Sequence, residues 1–101
     1  MPHFRVVVPH ALQEGEAVLR VRACLGQLMH EYPNWIKDLR ENWQGNSATL
    51  SLVLAVPLFA PHISGDLTLN SGEVIIEGEA PRPFNGRVEG FLREHLERCL
   101  A

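Results

Sequence analysis

The sequence predicts an α+β fold, a two-layer sandwich in which a mostly antiparallel sheet carries two helices on one face. Three observations predict it. Between Ser47 and Ala80, apolar or small residues recur at every second position in three runs. These are Ala48, Leu50, Leu52, Leu54 and Val56, then Ile63, Gly65, Leu67 and Leu69, then Val74, Ile76 and Gly78. That is the period of strands with one buried face. The turn signals Val56-Pro57-Leu58-Phe59-Ala60-Pro61 and Asn70-Ser71-Gly72-Glu73 separate the runs, so the three strands form an antiparallel meander. Two longer stretches outside the meander carry apolar residues at three- and four-residue steps, and each needs an apolar surface to cover. The predicted order is β-α-β-β-β-β-α in one domain, residues 1–101.

In chain order, His3 to Val8 alternates, with Phe4, Val6 and Val8 on one side and His3, Arg5 and Val7 on the other. Pro9 cannot donate to a ladder and closes this strand. A helix is predicted from Leu12 to Tyr32. Val18, Val21, Leu25, Leu28 and Tyr32 form its stripe, with Ala17 and Cys24 beside it. Glu14 and Glu16 suit the dipole in its first turn, and Pro33 ends it by disfavouring the α conformation at Tyr32. After the connector Asn34-Trp35-Ile36, Lys37 to Trp43 reads as a second strand, with Leu39, Glu41 and Trp43 on one face. Gln44-Gly45-Asn46 turns it into the meander. The other meander face shows Thr49, Ser51, Ser64, Asp66, Thr68, Glu77 and Glu79, polar enough to meet water. Pro81-Arg82-Pro83 breaks the sheet. A last helix runs from Gly86 to Leu100 with Val88, Phe91, Leu92, His95, Leu96 and Cys99 as its stripe. The long first helix lets the first strand reach either edge of the sheet. The last meander strand, Val74 to Ala80, starts with few edge-protecting charges, and a free edge there predicts a homodimer.

The formal net charge of -3 weighs against a nucleic-acid partner. No run of about 18 apolar residues predicts a membrane span. The opening MPHFRVVVPH lacks a charged region followed by a long apolar one, so no signal peptide is predicted and the cytoplasm is the expected location. Cys24 and Cys99 are isolated thiols in the two predicted helices. In a reducing compartment they read as small buried apolar residues, without a spacing that supports metal or redox work. His3, His10, His30, His62 and His95 form no HxH, HxxxH or HExxH pair. They read as scattered surface groups, with His95 a core or boundary residue.

Glu77, Glu79 and Asp66 share one predicted sheet face. Paired carboxylates do acid–base work when burial separates their pKa values, but this face is open, and a solvated surface is the simpler reading. Glu41 shares a face with Leu39 and Trp43. It must lie at an edge or meet an arginine, because an unpaired buried carboxylate is costly. No GxSxG, P-loop or GxGxxG opens a helix. No catalytic, cofactor-binding or metal-binding residue is assigned, and the chain reads as non-enzymatic. The candidate contact is apolar. Pro57 and Pro61 frame Leu58 and Phe59 at a hairpin tip, which either folds over the end of the core or presents a small apolar surface to a partner, lipid or polymer.

Several segments together resemble the small bacterial polyhydroxyalkanoic acid system proteins. They are His3-Phe4-Arg5-Val6 with Pro9-His10-Ala11-Leu12, the Trp43-Gln44-Gly45-Asn46 turn, and Ile63-Ser64-Gly65-Asp66-Leu67-Thr68-Leu69. Val74-Ile75-Ile76-Glu77-Gly78-Glu79 and Phe84-Asn85-Gly86-Arg87-Val88-Glu89 complete the set. The resemblance covers nearly the whole chain. It implies an accessory role beside polyhydroxyalkanoate synthesis, with the granule or its proteins as partner, and it supplies no catalytic residues. The expected function is therefore a non-enzymatic, granule-associated accessory protein that makes contact through Leu58 and Phe59. The alternative is a binding module that holds a hydrophobic small molecule or acyl chain between helices and sheet.

Overall fold

In the computed structural model, which describes residues 3–56, 60–82 and 84–101, five strands form one sheet. They are β1 (His3–Pro9), β2 (Ile36–Gln44), β3 (Ser47–Leu54), β4 (His62–Leu69) and β5 (Glu73–Glu79). The helices are α1 (Glu14–Gly26), the one-turn α2 (Leu28–Glu31) and α3 (Asn85–Leu100). The order β-α-β-β-β-β-α is the predicted one, except that the first helix breaks. Its break falls at Gln27, with φ -96° and ψ -3°, directly after Gly26, whose bare backbone weakens a helix. Tyr32 leaves the helical region at φ -127° and ψ 58°, as the following Pro33 requires.

The strand order is β1-β5-β4-β3-β2, and every neighbouring pair is antiparallel. This corrects the expected free edge at Val74 to Ala80. β1 occupies that side of β5, from His3 opposite Glu79 to Pro9 opposite Glu73. The pairing matches apolar faces: Phe4, Val6 and Val8 stand opposite Gly78, Ile76 and Val74. All three β1 residues and both β5 hydrophobics are buried under the helices. The free edges are β1 and β2. On β2 the register slips between Lys37 and Arg40, and Asp38 takes a positive φ of 53°. A bulge of this kind with charged flanks discourages edge-to-edge pairing.

Val6, Leu67, Leu69, Val74 and Leu96 are fully buried, against Ala17, Val21 and Leu25 of α1 and Val88 and Leu92 of α3. Coverage is uneven. α3 lies over β1 and α1 over β4, whereas the four-residue α2 is what reaches β2. Leu52 and Leu54, expected beneath the helices, are therefore only half-buried. Gly78 faces Phe4 on one side and Gly65 on the other. A Cβ there would fall 2.9 Å from Phe4 Cζ and 2.8 Å from Gly65 Cα. The missing side chain makes room for the Phe4 ring and lets β4 and β5 approach closely.

Candidate functional site

The polar sheet face is open, as expected. Two rungs cross all five strands on it. One runs Arg5, Glu77, Asp66, Thr49, Asn42, and the other His3, Glu79, Ser64, Ser51, Arg40. Apart from Arg5, these residues line a shallow trough of about 620 Å³. Asp66 stands directly opposite Glu77, an unfavourable like-charge pair. β1 offsets it: Arg5 Nε donates to Glu77 Oε1 at 3.1 Å, and His3 Nε2 lies 3.5 Å from Glu77 Oε2. These groups are exposed, and solvent screens them. Glu41 lies on the edge strand β2, half-buried, and accepts a hydrogen bond from the Trp43 indole at 2.9 Å. The edge alternative for Glu41 holds, with an indole where an arginine was the other option.

The histidines do separate jobs. His10 pins the β1–α1 loop to the β4–β5 turn: one ring nitrogen lies 2.8 Å from the Asn70 carbonyl, and the other accepts from the Leu12 amide at 3.0 Å. His30 and His62 are exposed. His95 is buried, at 3 % exposure.

Leu58 and Phe59 lie outside the described residues. Their flanks are described. Leu54 N–H donates to the Pro61 carbonyl at 3.1 Å, and Ala55 N–H donates to the Trp35 carbonyl at 2.8 Å. Trp35 therefore sits at the base of the hairpin, and its side chain is 65 % exposed. The sequence marks Trp35 only as part of a connector. Its neighbour Ile36 begins β2 and is buried.

A further departure from the sequence reading is covalent. Cys24 of α1 and Cys99 of α3 are not two separate thiols but a disulfide, with Cα atoms 6.0 Å apart. Side-by-side packing of the first and last helices brings together residues 75 positions apart. His95 stands one helical turn before Cys99, and a ring nitrogen of His95 and both Sγ atoms all lie within 4.8 Å of one another. The His95 ring stacks on Phe91 at 5.7 Å and meets the edge of Tyr32 at 6.3 Å. Its Nδ1 is 3.5 Å from the Arg98 guanidinium, and its Nε2 is buried with no hydrogen-bond partner. Burial pushes the His95 pKa down. The Cys24 carbonyl and the Glu31 carboxylate push it partly back, and Arg98 adds to the lowering.

Among the described residues, a space of about 30 Å³ between helices and sheet is lined by Phe4, Leu25, Leu28, Leu52, Ile76 and Leu92 among others. Pockets for small molecules are about ten times larger. No helix among the described residues is long and apolar enough to cross a membrane. Compared with family models, curated proteins and solved structures, the chain matches none.

Proposed function

We propose that the protein is a non-enzymatic accessory protein of polyhydroxyalkanoate metabolism, working in the cytoplasm and attached to the granule or its proteins through the Trp35 end of the sheet. The sequence resemblance suggests the setting. The observation that carries the mode of contact is Trp35, exposed at the base of the hairpin whose sequence continues into Leu58 and Phe59. An indole has a large apolar body and one N–H donor, which suits a polyester surface of apolar chains and ester carbonyls. Burial of such side chains contributes about 1.5–3 kcal/mol each, enough for reversible attachment. A homodimer belongs to the same proposal and presents two such ends; its contact would use the β1 edge, since the bulge protects β2. The space described between helices and sheet is too small for an acyl chain, which favours action through the surface.

The test is co-sedimentation with isolated native granules. Trp35→Ala removes an exposed side chain, so its stability should stay within about 0.5 kcal/mol of wild type while attachment falls. Leu58→Asp with Phe59→Asp should lower attachment further. Wild-type levels of attachment in both folded variants would remove the proposal.

A further inference from the structure

We propose that the reduced protein binds a thiophilic divalent cation, of the Zn²⁺ class, through Cys24 Sγ, Cys99 Sγ and a ring nitrogen of His95, and that the Cys24–Cys99 disulfide is the closed, metal-free state of the same site. Four observations carry it. The three donor atoms already lie within 4.8 Å of one another. Tetrahedral zinc with Zn–S of about 2.3 Å and Zn–N of about 2.0–2.1 Å needs its donors about 3.6–3.8 Å apart, so small side-chain rotations suffice. His95 Nε2 is buried and has no hydrogen-bond partner, and a buried polar atom left unpaired is costly. His95 and Cys99 are four residues apart on one helix, so they present their donors on one face. Finally, two thiolates and one neutral imidazole around a divalent cation make a site of zero net charge, which suits a place where His95 is buried and both cysteines are half-buried.

The chemistry balances in two steps. A dithiol reductant gives two electrons and two protons to the Sγ–Sγ bond. The bond breaks, Cys24 and Cys99 become thiols, and the reductant leaves as its own disulfide. The cation then displaces the two thiol protons into solvent. Two metal–sulfur bonds form, Nε2 of the neutral His95 ring gives a third once the ring proton sits on Nδ1 and the 3.5 Å Arg98 contact there is released, and a water completes the four. Exchange with a small-molecule disulfide, which takes up the two electrons and leaves as two thiols, reforms the Sγ–Sγ bond and releases the cation. A reducing cytoplasm favours the open form, and an oxidising one closes it.

Soft ligands of this kind also bind Co²⁺, whose thiolate charge-transfer absorption reports sulfur ligation directly. The full chain, reduced with a phosphine and desalted without oxygen, is titrated with Co²⁺ and then with Zn²⁺. The expected result is one Co²⁺ per chain with a charge-transfer band that Zn²⁺ abolishes. Neither the oxidised wild type nor Cys24→Ser should show that band. His95→Gln should keep the thiols yet bind at least about tenfold more weakly, the loss that outer-shell partners alone can cause. Circular dichroism of each sample checks the fold. The proposal is overturned by any of four results: no band in reduced wild type, equal binding by the oxidised protein, equal binding by folded His95→Gln, or a reduced chain that no longer folds.

Discussion

His95 is an imidazole sealed between helices, and its environment sets a pH dependence. Desolvation, with Arg98 of α3 adding to it, lowers its pKa from the ordinary 6.5 and outweighs the Cys24 carbonyl of α1 and Glu31 of α2, which raise it. In the unfolded chain the ring takes up a proton near that ordinary value, while the folded ring stays neutral to lower pH. The unfolded state therefore binds more protons below pH 6.5, and stability falls with pH in that window. Above it the contribution is fully present. The expected outcome in the oxidised protein is a urea midpoint that drops between about pH 7.5 and 5.5, with a smaller drop in His95→Leu. Equal drops would assign the dependence to other groups. In sequence, His95 reads correctly as part of the α3 stripe. Its step of four to Cys99 is visible there too. Cys24 is not, because no spacing rule links residues so far apart, and only the packing of α1 on α3 joins them.

Strand alternation tells which residues share a face, but not how well that face is covered. Leu52 and Leu67 have the same pattern in sequence and different surroundings. Leu67 on β4 is fully buried beneath α1, while Leu52 on β3 is half-buried at the margin of the layer between helices and sheet. Leu67→Ala should cost about 2–5 kcal/mol in urea melts. Leu52→Ala should cost less than about 2 kcal/mol, since less apolar area returns to water. A larger loss for Leu52 would mean that the helices extend over β3. The same gap explains β1. Its apolar side is plain from Phe4, Val6 and Val8, yet the choice between two sheet edges depends on which edge offers a matching row, and Ile76 and Val74 supply it. The break at Gln27 is also hard to read locally, because the apolar steps continue from Leu25 to Leu28 without interruption.

For the molecule as a whole, the sheet order and the disulfide act together. The crosslink joins residues 75 apart, and closing a loop of that size removes much freedom from the unfolded chain. Reduction in metal-free buffer should lower the unfolding free energy by about 2–4 kcal/mol, leaving a marginal but folded domain. A loss below about 1 kcal/mol in urea melts would show that the crosslink does little. The architecture as a layer sandwich is legible from two helical stripes and a three-strand meander, because burial demands leave few arrangements. Trp35 and the cysteine–histidine cluster are not, because each depends on neighbours brought in from another element.

The disulfide also decides how the molecule bears force. Between Cys24 and Cys99 the crosslink short-circuits the backbone, and β2, β3, β4 and β5 all lie inside the closed ring. Tension applied at Met1 and Ala101 passes through the sulfur bridge, so β2, β3 and β4 carry none of it and β5 feels it only where β1 is pulled away. Only the stretch before Cys24 can pay out, by peeling β1 from β5 and unwinding most of α1. Twenty-three residues precede the bridge and two follow it, so the oxidised chain extends to roughly 90 Å, against roughly 350 Å once the bridge is cut. An optical trap would read the redox state of a single molecule as a fourfold difference in tether length.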